Sequence, residues 1–114
     1  MKIWKKDEGF KFKNSKDCYG ESFDIDNGNL NIAVITIKSR YPERGYAYNT
    51  ESQELAYVVS GQGSVSLKDG ETIKLNLGDV VHFDVMEEIA WDGDMILVVP
   101  CAPAFDPDKH KVED

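Results

Sequence analysis

The sequence predicts a small all-β domain, a barrel or a sandwich. Short apolar runs are divided by turn dipeptides, apolar and polar residues alternate within several runs, and no segment keeps a helical period over ten residues. Run after run at this spacing suits a closed or doubled sheet.

The runs follow in order. Ser22–Asp26 precedes Asn27-Gly28, and Leu30–Ile37 follows it. Gly61-Gln62-Gly63 divides Glu54–Val59 from Ser64–Leu67, and Asp69-Gly70 divides that run from Glu71–Leu77. Asp92-Gly93 divides Ile89–Trp91 from Met95–Val99. Asn-Gly and Asp-Gly suit tight hairpin turns because they tolerate positive φ. The flanking residues are β-branched and aromatic, which favours strands.

Strict alternation in Thr72–Leu77 puts Ile73, Leu75 and Leu77 on one face, and Val65 and Leu67 alternate with serines in the same way. Ile32–Ile35 and Met95–Val99 are apolar on both faces, which predicts central strands covered on both sides. From Pro100 the chain changes character. Pro100, Pro103 and Pro107 remove donors, so this part reads as extended and outside any central strand, with Phe105 packing it back and 108–114 a charged, mobile tail.

The 114 residues suit one domain, 1–114, with its core at about 20–107. A net charge of −8 opposes a nucleic-acid partner or an anionic membrane surface, since both need a positive field. No apolar run approaches a bilayer span and the N-terminus does not read as a signal peptide, so a cytoplasmic protein is expected. Cys18 and Cys101 lie far apart outside any CxxC, which reads as reduced and structural. Neither a phosphate-binding glycine loop nor a nucleophile elbow is present.

The stretch Glu54-Leu55-Ala56-Tyr57-Val58-Val59-Ser60-Gly61-Gln62-Gly63 sets a glutamate before an aromatic-aliphatic strand and a Gly-x-Gly turn. In Leu75-Asn76-Leu77-Gly78-Asp79-Val80-Val81-His82-Phe83 a Gly-Asp opens a strand. In this order the two stretches resemble the end of the first and the start of the second cupin motif. The closing Val98–Pro107 with Lys109-His110 is similar to the end of small single-domain cupins of the mannose-6-phosphate-isomerase-like type. The resemblance covers most of residues 30–107 and implies a jelly-roll barrel, a double-stranded β-helix holding a small molecule in its cup. It also implies a homodimer, which the strands apolar on both faces independently favour because a barrel covers only its inner face.

The motif's metal ligands do not carry over. Tyr48 and Thr50 stand where its paired histidines would be, no histidine lies near Ile89–Trp91, and only Glu54 remains. A transition-metal site needs three or four converging N, O or S ligands, so no metal and no other cofactor is expected.

Candidate site residues follow from these positions. Glu54 is a base or anchor in the cup, or a structural carboxylate bonded to Tyr48, Arg44 or His82. Arg44, Tyr46 and Tyr48 share one face, either a cup wall that clamps a ligand or an exposed strand face. Trp91 stacks on a ligand ring or belongs to the core. His82 is a proton-transfer group oriented by Asp84, or a satisfied histidine on a half-buried strand.

The expected function is metal-independent binding of a small molecule, with any chemistry a proton transfer of the sugar or small-acid isomerase or epimerase kind. Glu54 or His82 would then be the base. Two other readings stay open, a metal-dependent cupin with unusual ligands drawn from Glu54, His82 and Asp84, and a non-enzymatic binding or regulatory module.

Overall fold

The hairpin signals become antiparallel ladders in the computed structural model, which describes residues 1–25 and 27–114. Asp26, the last residue of the first predicted run, lies outside the described residues. β1 (Phe10–Ser15) pairs with β2 (Cys18–Asp24), and β2 with β3 (Asn31–Ile37). β1 precedes the point at which the sequence signals begin.

β4 (Tyr46–Asn49) leads into β5 (Gln53–Leu67), which pairs with β6 (Thr72–Leu75), β7 (Val80–Phe83) and β8 (Ile89–Ala102). β8 also pairs with β3, and β9 (His110–Glu113) closes along β4. All nine belong to one curled all-β sheet, the architecture that the cupin resemblance implies. No helix is long and apolar enough to cross a membrane.

The inner face follows the alternation. Ala56 and Val58 on β5, and Met95, Leu97 and Val99 on β8, are buried in one cluster with Ile37 and Val65. Each such large side chain contributes about 1.5–3 kcal/mol by leaving water. Leu75 is buried as predicted, whereas Ile73 and Leu77 are exposed. Leu77 has left the strand and lies in the turn that Asp79 closes on Asn76.

Two predicted turns are not turns. Gly61-Gln62-Gly63 lies inside β5 and Asp92-Gly93 inside β8, and the two long strands pair through them with Gly63 opposite Gly93. These glycines serve close backbone approach. A Cβ on Gly93 would sit 2.4 Å from the Gly63 Cα, and one on Gly61 2.1 Å from the Asp94 carbonyl oxygen.

The C-terminal segment also departs from the expectation. β8 continues through Pro100 to Ala102, with Pro100 opposite Ile32 on β3. On the β5 side the ladder is interrupted between Glu54↔Cys101 and Tyr57↔Val98, a gap that spans the residue lacking an N–H. Residues 110–113, read as part of a mobile tail, form β9, which takes the free edge of β4. Phe105 packs on the core as expected.

Candidate functional site

The barrel encloses a cavity of about 680 Å³. That volume falls within the usual range for small-molecule sites. Its walls include several aromatic rings, Phe10 and Phe12 from β1, Phe83, Trp91 and Phe105. Phe83 and Trp91 meet edge to face, 5.3 Å between centroids, which holds the indole as a fixed wall.

Glu54 opens β5 on its inner face, directly opposite Cys101 on β8. The carboxyl is half-buried and lines the cavity. Its partner is the Cys101 thiol, which donates to Oε1 at 3.4 Å, in place of the Tyr48, Arg44 or His82 expected from the sequence. Burial pushes the Glu54 carboxyl above its ordinary value of 4.5, and the thiol's hydrogen bond only partly opposes this. Burial, and then the adjacent carboxylate, pushes the Cys101 thiol upward as well. Cys101 is thus a neutral donor and a poor nucleophile.

Tyr41 and His110 form the second polar group. The Tyr41 hydroxyl lies 2.8 Å from His110 Nε2, and both residues line the cavity. The chain fixes Tyr41 by bonding its backbone N–H and C=O to Trp91, each at 2.8 Å. Pairing of β9 with β4 brings His110 opposite Asn49. Burial raises the Tyr41 phenol to about 12 and lowers His110 below its ordinary 6.5. Both are uncharged at neutral pH, joined by one hydrogen bond able to carry a proton between them.

Asn49 supplies a third feature. Its Oδ1 accepts from the backbone N–H groups of Glu51 (2.9 Å) and Ser52 (2.7 Å), which fixes the carboxamide. Its Nδ2 is buried with no partner among the described residues, and the residue lines the cavity. Asn31 receives the Phe105 N–H at 2.9 Å, and Ser52 donates to the Pro103 carbonyl at 2.8 Å, which seats the C-terminal segment over the cavity.

Several sequence candidates lie elsewhere. Arg44 is exposed and pairs with Asp114 at 3.1 Å. Tyr46 lies under the Arg40 guanidinium, 5.4 Å from its ring centroid, and does not line the cavity. The alternation on β4 has the opposite phase to the one expected, so Ala47 and Asn49 are its buried residues. Tyr48 borders the cavity but turns its hydroxyl to Glu113, to which it donates at 2.7 Å.

His82 is exposed and meets Gln53 at 3.0 Å, away from the cavity and from Asp84. Its strand register with β5 sets it opposite Leu55, whose side chain is also exposed. Trp91 is both core and cavity wall. Tyr41, Asn49 and His110 escaped the sequence reading because each depends on a pairing that local pattern does not show.

The cupin motif that the sequence resembles implies a metal at this position. Among the described residues no three His, Cys, Asp or Glu side chains converge. With Glu54 engaged by a protonated thiol and His110 by a phenol, the donor set does not fit a transition metal.

A family model for the EutQ-like cupin domain matches residues 44–98, the stretch that carries β4, β5, β6, β7 and most of β8. The fold is that of a cupin. No curated protein matches the sequence significantly.

Among solved structures, a Streptomyces nucleoside dehydratase solved with uridine superposes with a TM-score of 0.84 at 20% identity, covering 98% of this chain and 90% of that chain. KdgF from Halomonas gives 0.71 at 17%, covering 92% and 97%, and ectoine synthase from P. lautus 0.69 at 16%, covering 90% and 80%. At these identities the likeness is one of fold.

Proposed function

We propose that this cupin binds a small polar, ring-bearing molecule in its cup and transfers a proton on it without a metal. The observation that carries this reading is the Tyr41–His110 pair, 2.8 Å apart inside a cavity of about 680 Å³. A neutral imidazole bonded to a phenol can take a proton through one atom and return it through the other. Glu54, kept toward its protonated form by burial, is a second acid in the same cavity. His110 thus takes the role that the sequence reading gave to His82. An isomerase- or epimerase-type proton shift on a sugar-like ligand is the chemistry this set suits. The aromatic walls suit a flat ring, and uridine, the molecule named with the similar Streptomyces protein, is a sensible first probe.

The test has two steps. A melting-shift screen with uridine, ribose and other small sugars finds a binder. Transfer of deuterium from heavy water into that binder is then followed by NMR, and Tyr41→Phe and His110→Gln should each abolish the exchange. Binding with no exchange would leave a binding module and remove the proposed chemistry.

The same reading includes a homodimer, with no nucleic-acid partner, consistent with the net charge of −8. Two free buried cysteines suit a reducing compartment such as the cytoplasm.

A further inference from the structure

Charge is distributed unevenly around the cavity. Asp24, Asp84 and Glu87 line it together with Glu54, and the only lysine or arginine among its lining residues is Lys13. Both arginines are engaged elsewhere, Arg40 on the Pro42 carbonyl at 2.6 Å and Arg44 on Asp114. His110 is held toward its neutral form. The cavity therefore has no guanidinium fork for a phosphate or carboxylate, and carboxylates outnumber its one cation.

Asn49 adds an uncharged donor beside the same cavity. Its carboxamide is locked by two backbone donors, and its Nδ2 is a buried donor without a partner among the described residues, in a residue that is 7% exposed. Such a donor is matched by a neutral acceptor, a carbonyl or hydroxyl oxygen, without any charge on the ligand.

We infer that the cup selects uncharged, unphosphorylated ligands and rejects their phosphate esters by charge. This rests on the reading of the cup as a ligand site. It places the protein after a phosphate-removing step, or on a route whose intermediates never carry phosphate. It also removes small acids from the ligand classes considered above.

The experiment compares matched pairs, uridine against uridine monophosphate and ribose against ribose phosphate, by calorimetry and melting shift at low salt. The neutral member should bind and its phosphate ester should bind about tenfold or more weakly. Raising the salt concentration should narrow that gap, because screening weakens repulsion at the cavity mouth. The double change Asp84→Asn, Glu87→Gln should narrow it too. Both replacements keep the acceptor oxygens that now receive the Val85 and Asp84 N–H groups.

Asn49→Asp keeps the acceptor for its two N–H partners but deletes the donor, and should weaken the neutral ligand. Phosphate esters that bind as tightly as their neutral partners would overturn the charge assignment alone. So would a gap that neither salt nor the double change alters, which would make the rejection steric. If no member of either pair binds, the ligand-site reading fails as well.

Discussion

Tyr41 and His110 are 69 residues apart in sequence and 2.8 Å apart across the cavity wall. Removing the phenol oxygen by Tyr41→Phe deletes one partly buried hydrogen bond, at a stability cost of about 1 kcal/mol, and should show as a small drop in melting temperature beside a large loss of exchange. The folded protein lowers the pKa of His110 below 6.5 by burial. Stability from the neutral imidazole is therefore complete above 6.5 and is lost as the pH falls through the lowered value. Wild type should lose stability relative to His110→Gln on acidification below 6.5, as measured by urea titrations at successive pH values.

Glu54 has the opposite sign. Its folded pKa lies above 4.5, so its stability term is complete below 4.5 and is lost as the pH rises through the raised value. Glu54→Gln should gain stability relative to wild type over that rise. If the residue is also part of the proton-transfer set, the same variant should bind ligand or turn it over less well. An unchanged difference across the pH range would mean that burial does not raise the pKa of this carboxyl.

At the scale of elements, the long strands β5 and β8 set the shape of the cup. They run past each other where Gly63 faces Gly93, and a methyl on Gly93 would meet the Gly63 Cα at 2.4 Å with φ at +123°. Gly93→Ala should cost about 2 kcal/mol or more, through both the strained conformation and the displaced strand, and a thermal melt will read it.

β9 is the other decisive element. It pairs with β4 over four positions, and β4 itself meets β8 only at Ala47↔Ile89. The wall carrying Asn49 and His110 is thus lightly attached. Deleting residues 110–114 should lower the melting temperature by about 5–10 °C while the rest of the barrel stays folded, since about 1–2 kcal/mol is at stake. Ligand binding should be lost with it. A deletion that keeps full binding would show that β9 is no part of the site.

At the scale of the whole molecule, the outer surface bears on assembly. One row crosses four strands in register, Val34 on β3, Val98 on β8, Tyr57 on β5 and Val80 on β7. Val34, Tyr57 and Val80 are exposed in the single chain. This is the outer apolar face that the two-sided strands Ile32–Ile35 and Met95–Val99 announced, and a second copy is the cover expected for it. Light scattering should give about twice the 12.8 kDa chain mass, and Val34→Glu should return it to the monomer value. A monomer at all working concentrations would leave the face without its proposed cover.

The all-β class, the Asp69-Gly70 hairpin, the inward run Glu54–Ala56–Val58 and the degenerate metal positions were all legible in the sequence. Each is a local matter of turn chemistry, two-residue period or residue type at a motif position. Glycine was ambiguous, because the same lack of a Cβ serves a turn at Gly70 and a strand crossing at Gly63 and Gly93. The phase of a four-residue strand such as β4 was also ambiguous, since Tyr-Ala-Tyr-Asn alternates equally well with either pair inward, and its partner strands decided it.

His110 lies in a charged segment with no apolar period, so only the pairing of β9 with β4 could bring it into the cup. The sequence by itself determined the class of fold, the inward glutamate and the loss of the metal histidines, because side-chain chemistry and period are properties of a stretch of chain. Tertiary structure alone decided which polar groups share the cavity, because that depends on strand register between segments distant in sequence, and one residue of register turns a side chain from cavity to solvent.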